Sequence, residues 1–233
     1  MDREQIREIK KKLQQALSEK RYEHTLGVSY TCAALAMRYG ADHEQAELAG
    51  LLHDCAKGMK ISALREALSR DFVDQYTRDP DYLKETIEKA PQILHAIYGP
   101  VLAREKYGIT DPEVLSAIRW HTTGKQGMTS LEKIVFVADL IEPNRTQIPN
   151  LERMRSMAFS DLDQALFAIG KDTIVYLEKQ RAFVDQYSKM LVMQYLERDH
   201  KTSPWQSHPM DGQKGKKYGN EGAGKRNPAD YGG

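Results

Sequence analysis

Six side chains able to ligate a metal, His24, His53, Asp54, His95, His121 and Asp139, lie between positions 24 and 139, each in a segment whose other inward-facing positions are apolar. At helical spacing His24 shares a face with Val28, Thr31 and Leu35, His121 with Val114, Ala117 and Ile118, and Asp139 with Val135 and Phe136. A fold that buries those faces carries the polar groups inward with them. Burying an unpaired carboxylate or a mobile imidazole costs several kcal/mol, so each group needs a partner inside. A single metal cluster would satisfy all of them.

Strand signals are nearly absent and helical periodicity with recognisable stops runs to about Glu197, which predicts an all-α bundle around a buried metal centre. Residues 2–20 read as one amphipathic helix with Ile6, Ile9, Leu13 and Leu17 on a face, and a second helix carries His24 up to Gly40. Asp42 caps a third, AELAGLLHDCAK, which sets His53 and Asp54 side by side about 100° apart on one helix and stops near Gly58. Ser62 is an N-cap for a helix through Arg70, and residues 71–91 read as a surface connection with a short helix inside it.

His95 belongs to QILHAIYGPVLAREKYG, where Pro100 would kink or restart a helix and Gly108 would end it. Asp111 and Pro112 start the helix that leads to the loop HTTGKQGMTS, and Ser130 and Lys133 open the one containing VFVADLIEP. Two further helices over residues 152–194 are expected to cover the core from outside. The domain is therefore 1–197, and the segment 198–233, rich in Gly, Pro and Lys, is expected to be a disordered polar tail.

With a net charge of +1, nothing in the overall balance calls for nucleic acid or an anionic membrane as partner. The tail lysines Lys214, Lys216, Lys217 and Lys225 read as solvated charge rather than a nucleic-acid arm. Neither a secretory signal nor an apolar run of about 18 residues is present, so a cytoplasmic protein is expected. Cys32 and Cys55 are too few for a disulfide framework and read as reduced core thiols, with Cys55 a weaker ligand candidate than the pair it follows.

The order His24, then His53-Asp54, then Asp139 resembles that of the HD-domain metal-dependent phosphohydrolases. The segments HDCAKG, HAIYGP, HTTGK and ADLIEPNR together are similar to those of the YqeK-type HD hydrolases, over most of residues 1–196. That resemblance implies symmetrical cleavage of a dinucleoside polyphosphate, diadenosine tetraphosphate, into two ADP. It also implies a dinuclear centre in which Asp54 bridges, His24, His53 and Asp139 hold one ion, and His95 and His121 hold the other. Imidazole and carboxylate ligands suit iron, manganese, cobalt or zinc better than calcium. The resemblance favours iron among them, as two divalent or mixed-valent ions.

Such a pair, about 3.5 to 4 Å apart, lowers the pKa of a bridging water and needs no protein nucleophile. The phosphates need cations and hydroxyls as well. Lys57, one turn past Asp54, is the candidate to act beside it in catalysis; Thr122, Thr123, Gly124, Lys125 and Arg145 are the candidate substrate contacts with Lys57. Plainer readings stand beside these: Lys57 as a helix-terminal charge, the HTTG loop as a polar helix stop, Arg145 as a surface residue. Rival functions are a phosphohydrolase of a guanosine polyphosphate or deoxynucleoside triphosphate, and a nucleotide-sensing HD module without turnover. The sequence leaves a homodimer open.

Overall fold

The computed structural model describes residues 3–69, 74–77 and 79–202, and among these it contains helices and no strand. The helices are α1 (Arg3–Ala16), α2 (Glu19–Tyr39), α3 (His43–Leu52), α4 (Ile61–Ser69), α5 (Pro80–Lys89), α6 (Leu94–Tyr107), α7 (Pro112–Trp120), α8 (Ser130–Ile141), α9 (Leu151–Ser160), α10 (Leu162–Lys179) and α11 (Gln186–Thr202), with a 3-10 turn at Pro91–Ile93. Their boundaries follow capping chemistry. Asp42, Asp79 and Asp111 each accept two amides of the first turn, and Thr129 with Glu132 forms a reciprocal capping box on α8. Gly40 and Gly108 end α2 and α6 in the left-handed conformation.

Several boundaries differ from the sequence reading. The helix expected over 2–20 is two, because the Ser18 side chain accepts the Arg21 amide and starts α2 afresh. α3 stops at Leu52, so His53 and Asp54 stand in a run of tight turns rather than on a helix; the amides of Cys55, Lys57 and Met59 reach back three residues, to Leu52, Asp54 and Ala56. Ser62 lies inside α4, whose first turn closes from Leu64 to the Lys60 carbonyl. Pro100 sits within α6, which runs through it.

The expected pair of late helices is three, since Asp161 caps α10 through the Gln164 amide and ends α9. α10 is not merely an outer cover: Ala165, Leu166 and Ile169 are buried in the main core. α11 runs to Thr202, five residues past the expected end of the domain. The tail from 203, with its four lysines, lies outside the described residues.

The main core is built from α2, α3, α7 and α8, with Val28, Leu35, Leu51, Leu52, Ile118 and Ile134 buried between them. A second, smaller core joins α4, α5 and α6 through Leu64, Leu68, Tyr82, Leu83 and Ile97. The turn after α3 lies on the seam, Cys55 in the first core and Ala56 in the second. The connection before α5 is not all surface, because Asp74 is buried and forms a two-pronged ion pair with the fully buried Arg119 of α7. No helix of the described residues is long and apolar enough to cross a membrane.

Candidate metal centre

Three histidines are fixed by one local device. In His53, His95 and His121 the ring Nδ1 lies 2.7 Å from the carbonyl of the residue three before it, Gly50, Gln92 and Ile118. A carbonyl only accepts, so each Nδ1 carries the proton and each Nε2 keeps a lone pair. His53 and His121 occupy the C-cap positions of α3 and α7, and His95 opens α6 just after the 3-10 turn. His24 on α2 uses a carboxylate instead, its Nδ1 3.1 Å from Glu142 Oε1.

The four Nε2 atoms converge with two carboxylates. His24 Nε2 is 3.0 Å from Asp139 Oδ1, and His53 Nε2 is 3.8 Å from the same oxygen and 3.6 Å from Asp54 Oδ2. On the other side of Asp54, Oδ1 lies 3.2 Å from His95 Nε2 and 3.4 Å from His121 Nε2. Two sets of ligand atoms are close enough to share an ion, His24 with His53 and Asp139, and His53 with Asp54 and His121. His53 thus belongs to both, and His95 approaches through Asp54 and His121.

These groups fit a metal. Nε2 of His24, Nε2 of His53 and Oδ1 of Asp54 are buried without a hydrogen-bond partner, a costly arrangement for three atoms that all offer lone pairs. Nitrogen and carboxylate donors with protonated, hydrogen-bonded Nδ1 atoms are the arrangement in which imidazole ligates a transition metal.

The electrostatics agree. Burial pushes His53 down to about 4 and His95 down to about 3, so both are neutral at pH 7. Burial opposes ionisation of Asp54 and Asp139 but is outweighed, by the imidazoles His53, His121 and His95 around Asp54 and by Arg145 and His24 beside Asp139. Burial lowers His24, yet its contacts with Asp139 and Glu142 win and raise it above its ordinary value.

Of the remaining expected site residues, Thr122 comes nearest, its hydroxyl 2.9 Å from His121 Nε2 and 3.4 Å from His95 Nε2. Lys57 is half-buried, and burial lowers its pKa against the pull of Asp54. Arg145 grips Asp139, its Nη2 2.9 Å from Oδ1 and its Nε 3.1 Å from the backbone carbonyl. Lys125 pairs with Glu132 at 3.0 Å and with the Gly127 carbonyl, and so holds the first turn of α8. The Thr123 hydroxyl is buried and donates to Gly124. Gly124 has φ 62°, and a Cβ there would lie 2.6 Å from Leu191 of α11, so this glycine serves the turn itself.

Two residues escaped the sequence reading. Arg21 Nη1 is 2.9 Å from Asp54 Oδ2, and Glu142 holds His24. Each lies one helical turn from a candidate ligand, Arg21 before His24 and Glu142 after Asp139, so the spacing was the signal that could have found them. Beside the His24 edge a cleft of about 360 Å³ opens, lined by Lys20, Arg21, Asn144 and Arg145 among others.

A family model described as the HD domain matches residues 21–144, the span that contains all six candidate ligands. The chain is 39% identical over 177 residues to a symmetrical bis(5'-nucleosyl)-tetraphosphatase of Bacillus subtilis (strain 168), an alignment covering 75% of this chain and 90% of that one. It is 43% identical to a protein of the same description from Halalkalibacterium halodurans, covering 70% and 82% of the two chains. Among solved structures, a protein of Clostridium acetobutylicum described as a predicted HD superfamily hydrolase involved in NAD metabolism superposes with a TM-score of 0.72 at 33% identity, covering 83% of this chain and 97% of that one.

Proposed function

The chain belongs to the HD-domain family and to its symmetrical bis(5'-nucleosyl)-tetraphosphatases, and from that premise we propose that it hydrolyses diadenosine tetraphosphate to two ADP in a metal-dependent reaction. The observation that carries this reading is the convergence of four Nε2 lone pairs on two carboxylates, the buried Asp54 and the half-buried Asp139. His24, His53, Asp54, His95, His121 and Asp139 would hold the metal, with Asp54 between the two groups of ligands and iron or manganese the expected occupants. When bound, two ions would polarise a phosphoryl oxygen and acidify a water for in-line attack.

The protein's own part is to hold the polyphosphate and neutralise it. Hydrolysis breaks the central P–O–P bridge: the oxygen of water joins one of the two inner phosphorus atoms, the bridging oxygen leaves with the other ADP, and the two protons of that water end on the new terminal phosphates or in solvent. Charge spreads over the phosphoryl oxygens as that bond loosens. Arg21, Lys57 and Arg145 stand beside Asp54 and Asp139 to meet it, and the Thr122 hydroxyl faces His95 and His121. The cleft lined by Lys20, Arg21 and Arg145 offers the rest of the chain of phosphates a cationic wall.

The substrate assignment is tested by comparing kcat/KM for diadenosine tetraphosphate, a guanosine polyphosphate and a deoxynucleoside triphosphate with iron- and manganese-loaded protein under anaerobic conditions. A preference of at least an order of magnitude for the dinucleotide supports it. A preference for either mononucleotide overturns it.

A further inference from the structure

Glu142 is the C-cap of α8 and is 1% exposed, an ionisable side chain with no place in the ligand set. Both of its carboxylate oxygens accept from N–H groups. Oε1 takes His24 Nδ1 at 3.1 Å, and Oε2 takes the backbone amide of Asn144 at 2.7 Å. The Asn144 side chain donates in turn to the carbonyl of Glu23, the residue before His24, at 3.2 Å. Arg155 of α9 clasps the same turn from behind, donating to the carbonyls of Ile141, Glu142 and Arg145 at 2.9, 2.9 and 3.0 Å. Room for the carboxylate is left by Gly27, where any Cβ would run into Glu142 Oε2.

We propose that Glu142 is a positioning residue: one oxygen fixes the tautomer and orientation of His24 toward the metal, and the other ties that histidine to the turn that presents Arg145. The inference rests on the metal-centre reading above. His24 needs such a partner because it sits within α2, whereas the other three histidines take carbonyls left open at element ends, Gly50 and Ile118 in the last turns of α3 and α7 and Gln92 in the 3-10 turn. Carboxylate partners of this kind orient a ligating imidazole and raise its basicity.

The chemistry of the amide makes the claim sharp. In Glu142→Gln one oxygen can still accept, but the NH2 that replaces the other cannot, so the variant satisfies either the Asn144 amide or His24 Nδ1 and never both. If His24 gives way, it becomes the Nε2–H tautomer and points a proton at the metal. Gly27→Ala displaces the Glu142 carboxylate without removing any polar group.

The test uses zinc as the probe, titrated into the full chain by competition with a chromophoric chelator, alongside circular dichroism and the 15N shifts of the histidines. The inference predicts that both variants keep their helices, lose zinc affinity by roughly 10–100-fold, and shift His24 away from the Nδ1–H, Nε2-ligated pattern. Wild-type affinity in both variants, within twofold, overturns the role of Glu142 and leaves the centre standing. Failure of the wild type itself to bind zinc, iron or manganese overturns the centre and the inference with it.

Discussion

His95 Nε2 and His121 Nε2 face each other 3.2 Å apart, each on a ring whose Nδ1 already donates to a backbone carbonyl. Two lone pairs pointed at one another repel, and the Thr122 hydroxyl has one proton for the two of them. A shared cation, a metal or a proton, removes that repulsion.

Metal removal follows directly. Chelated protein should retain its helices, lose turnover, and melt at a lower temperature than the loaded form. A metal at 100 times its dissociation constant adds about 2.7 kcal/mol of stability. Thermal scans of the stripped and reloaded protein check this; an unchanged midpoint in the two would count against a built-in site.

Asp54 stands between the two groups of ligands, so Asp54→Ala should cost more activity than the roughly 10–100-fold that loss of a ligand's hydrogen-bond partner costs. The variant should keep its helical circular dichroism, because Asp54 lies in the turn after α3 rather than in a helix interior. Retained turnover would remove Asp54 from the centre.

The buried pair Asp74–Arg119 makes a stability prediction away from the centre. Asp74→Ala leaves a fully buried guanidinium without its carboxylate and should cost about 3–5 kcal/mol, measured by urea unfolding. Adding Arg119→Met to that variant should restore much of the loss, since the unpaired buried guanidinium is then gone. If the double variant is as unstable as the single one, the pair is not the cause.

The metal-free protein should weaken with acid between pH 6.5 and about 4. His53 and His95 have native pKa values of about 4 and 3, below the unfolded 6.5, so in that window the unfolded chain binds more protons. Each contributes a slope approaching about 1.4 kcal/mol per pH unit. His24, raised in the fold, is protonated in both states below its ordinary value and adds no slope there. Urea unfolding of chelated protein at pH 6.0, 5.0 and 4.5 checks the sign, and stability rising with acid over that range would contradict it.

How much of this was legible in the sequence depends on the range of the forces involved. Caps at Asp42, Asp111, Gly40 and Gly108 are local chemistry and were readable residue by residue. The ligands were readable because a polar group on an apolar helical face has to be explained. What the periodicity could not show was that α3 ends at Leu52, since the apolar pattern continues into the tight turns where His53 and Asp54 sit. The Asp74–Arg119 pair joins a connecting segment to α7 across 45 residues, and no spacing rule reaches that far. Lys125 looked like a phosphate contact by its place beside HTTG, but a buried Glu132 in the next helix claims its ammonium. Arg21 and Glu142 lie one helical turn from His24 and Asp139, so spacing reaches them, but neither belongs to the His-Asp order that marks the ligands.

The central claim is symmetrical hydrolysis of a dinucleoside tetraphosphate at this centre, and ion-exchange separation of the products from diadenosine tetraphosphate tests it most directly. Protein loaded with iron or manganese is expected to give ADP as sole product, two per substrate consumed. ATP together with AMP would contradict it by placing the cleavage at an outer P–O–P bridge, and the absence of any product from fully loaded protein would contradict it outright.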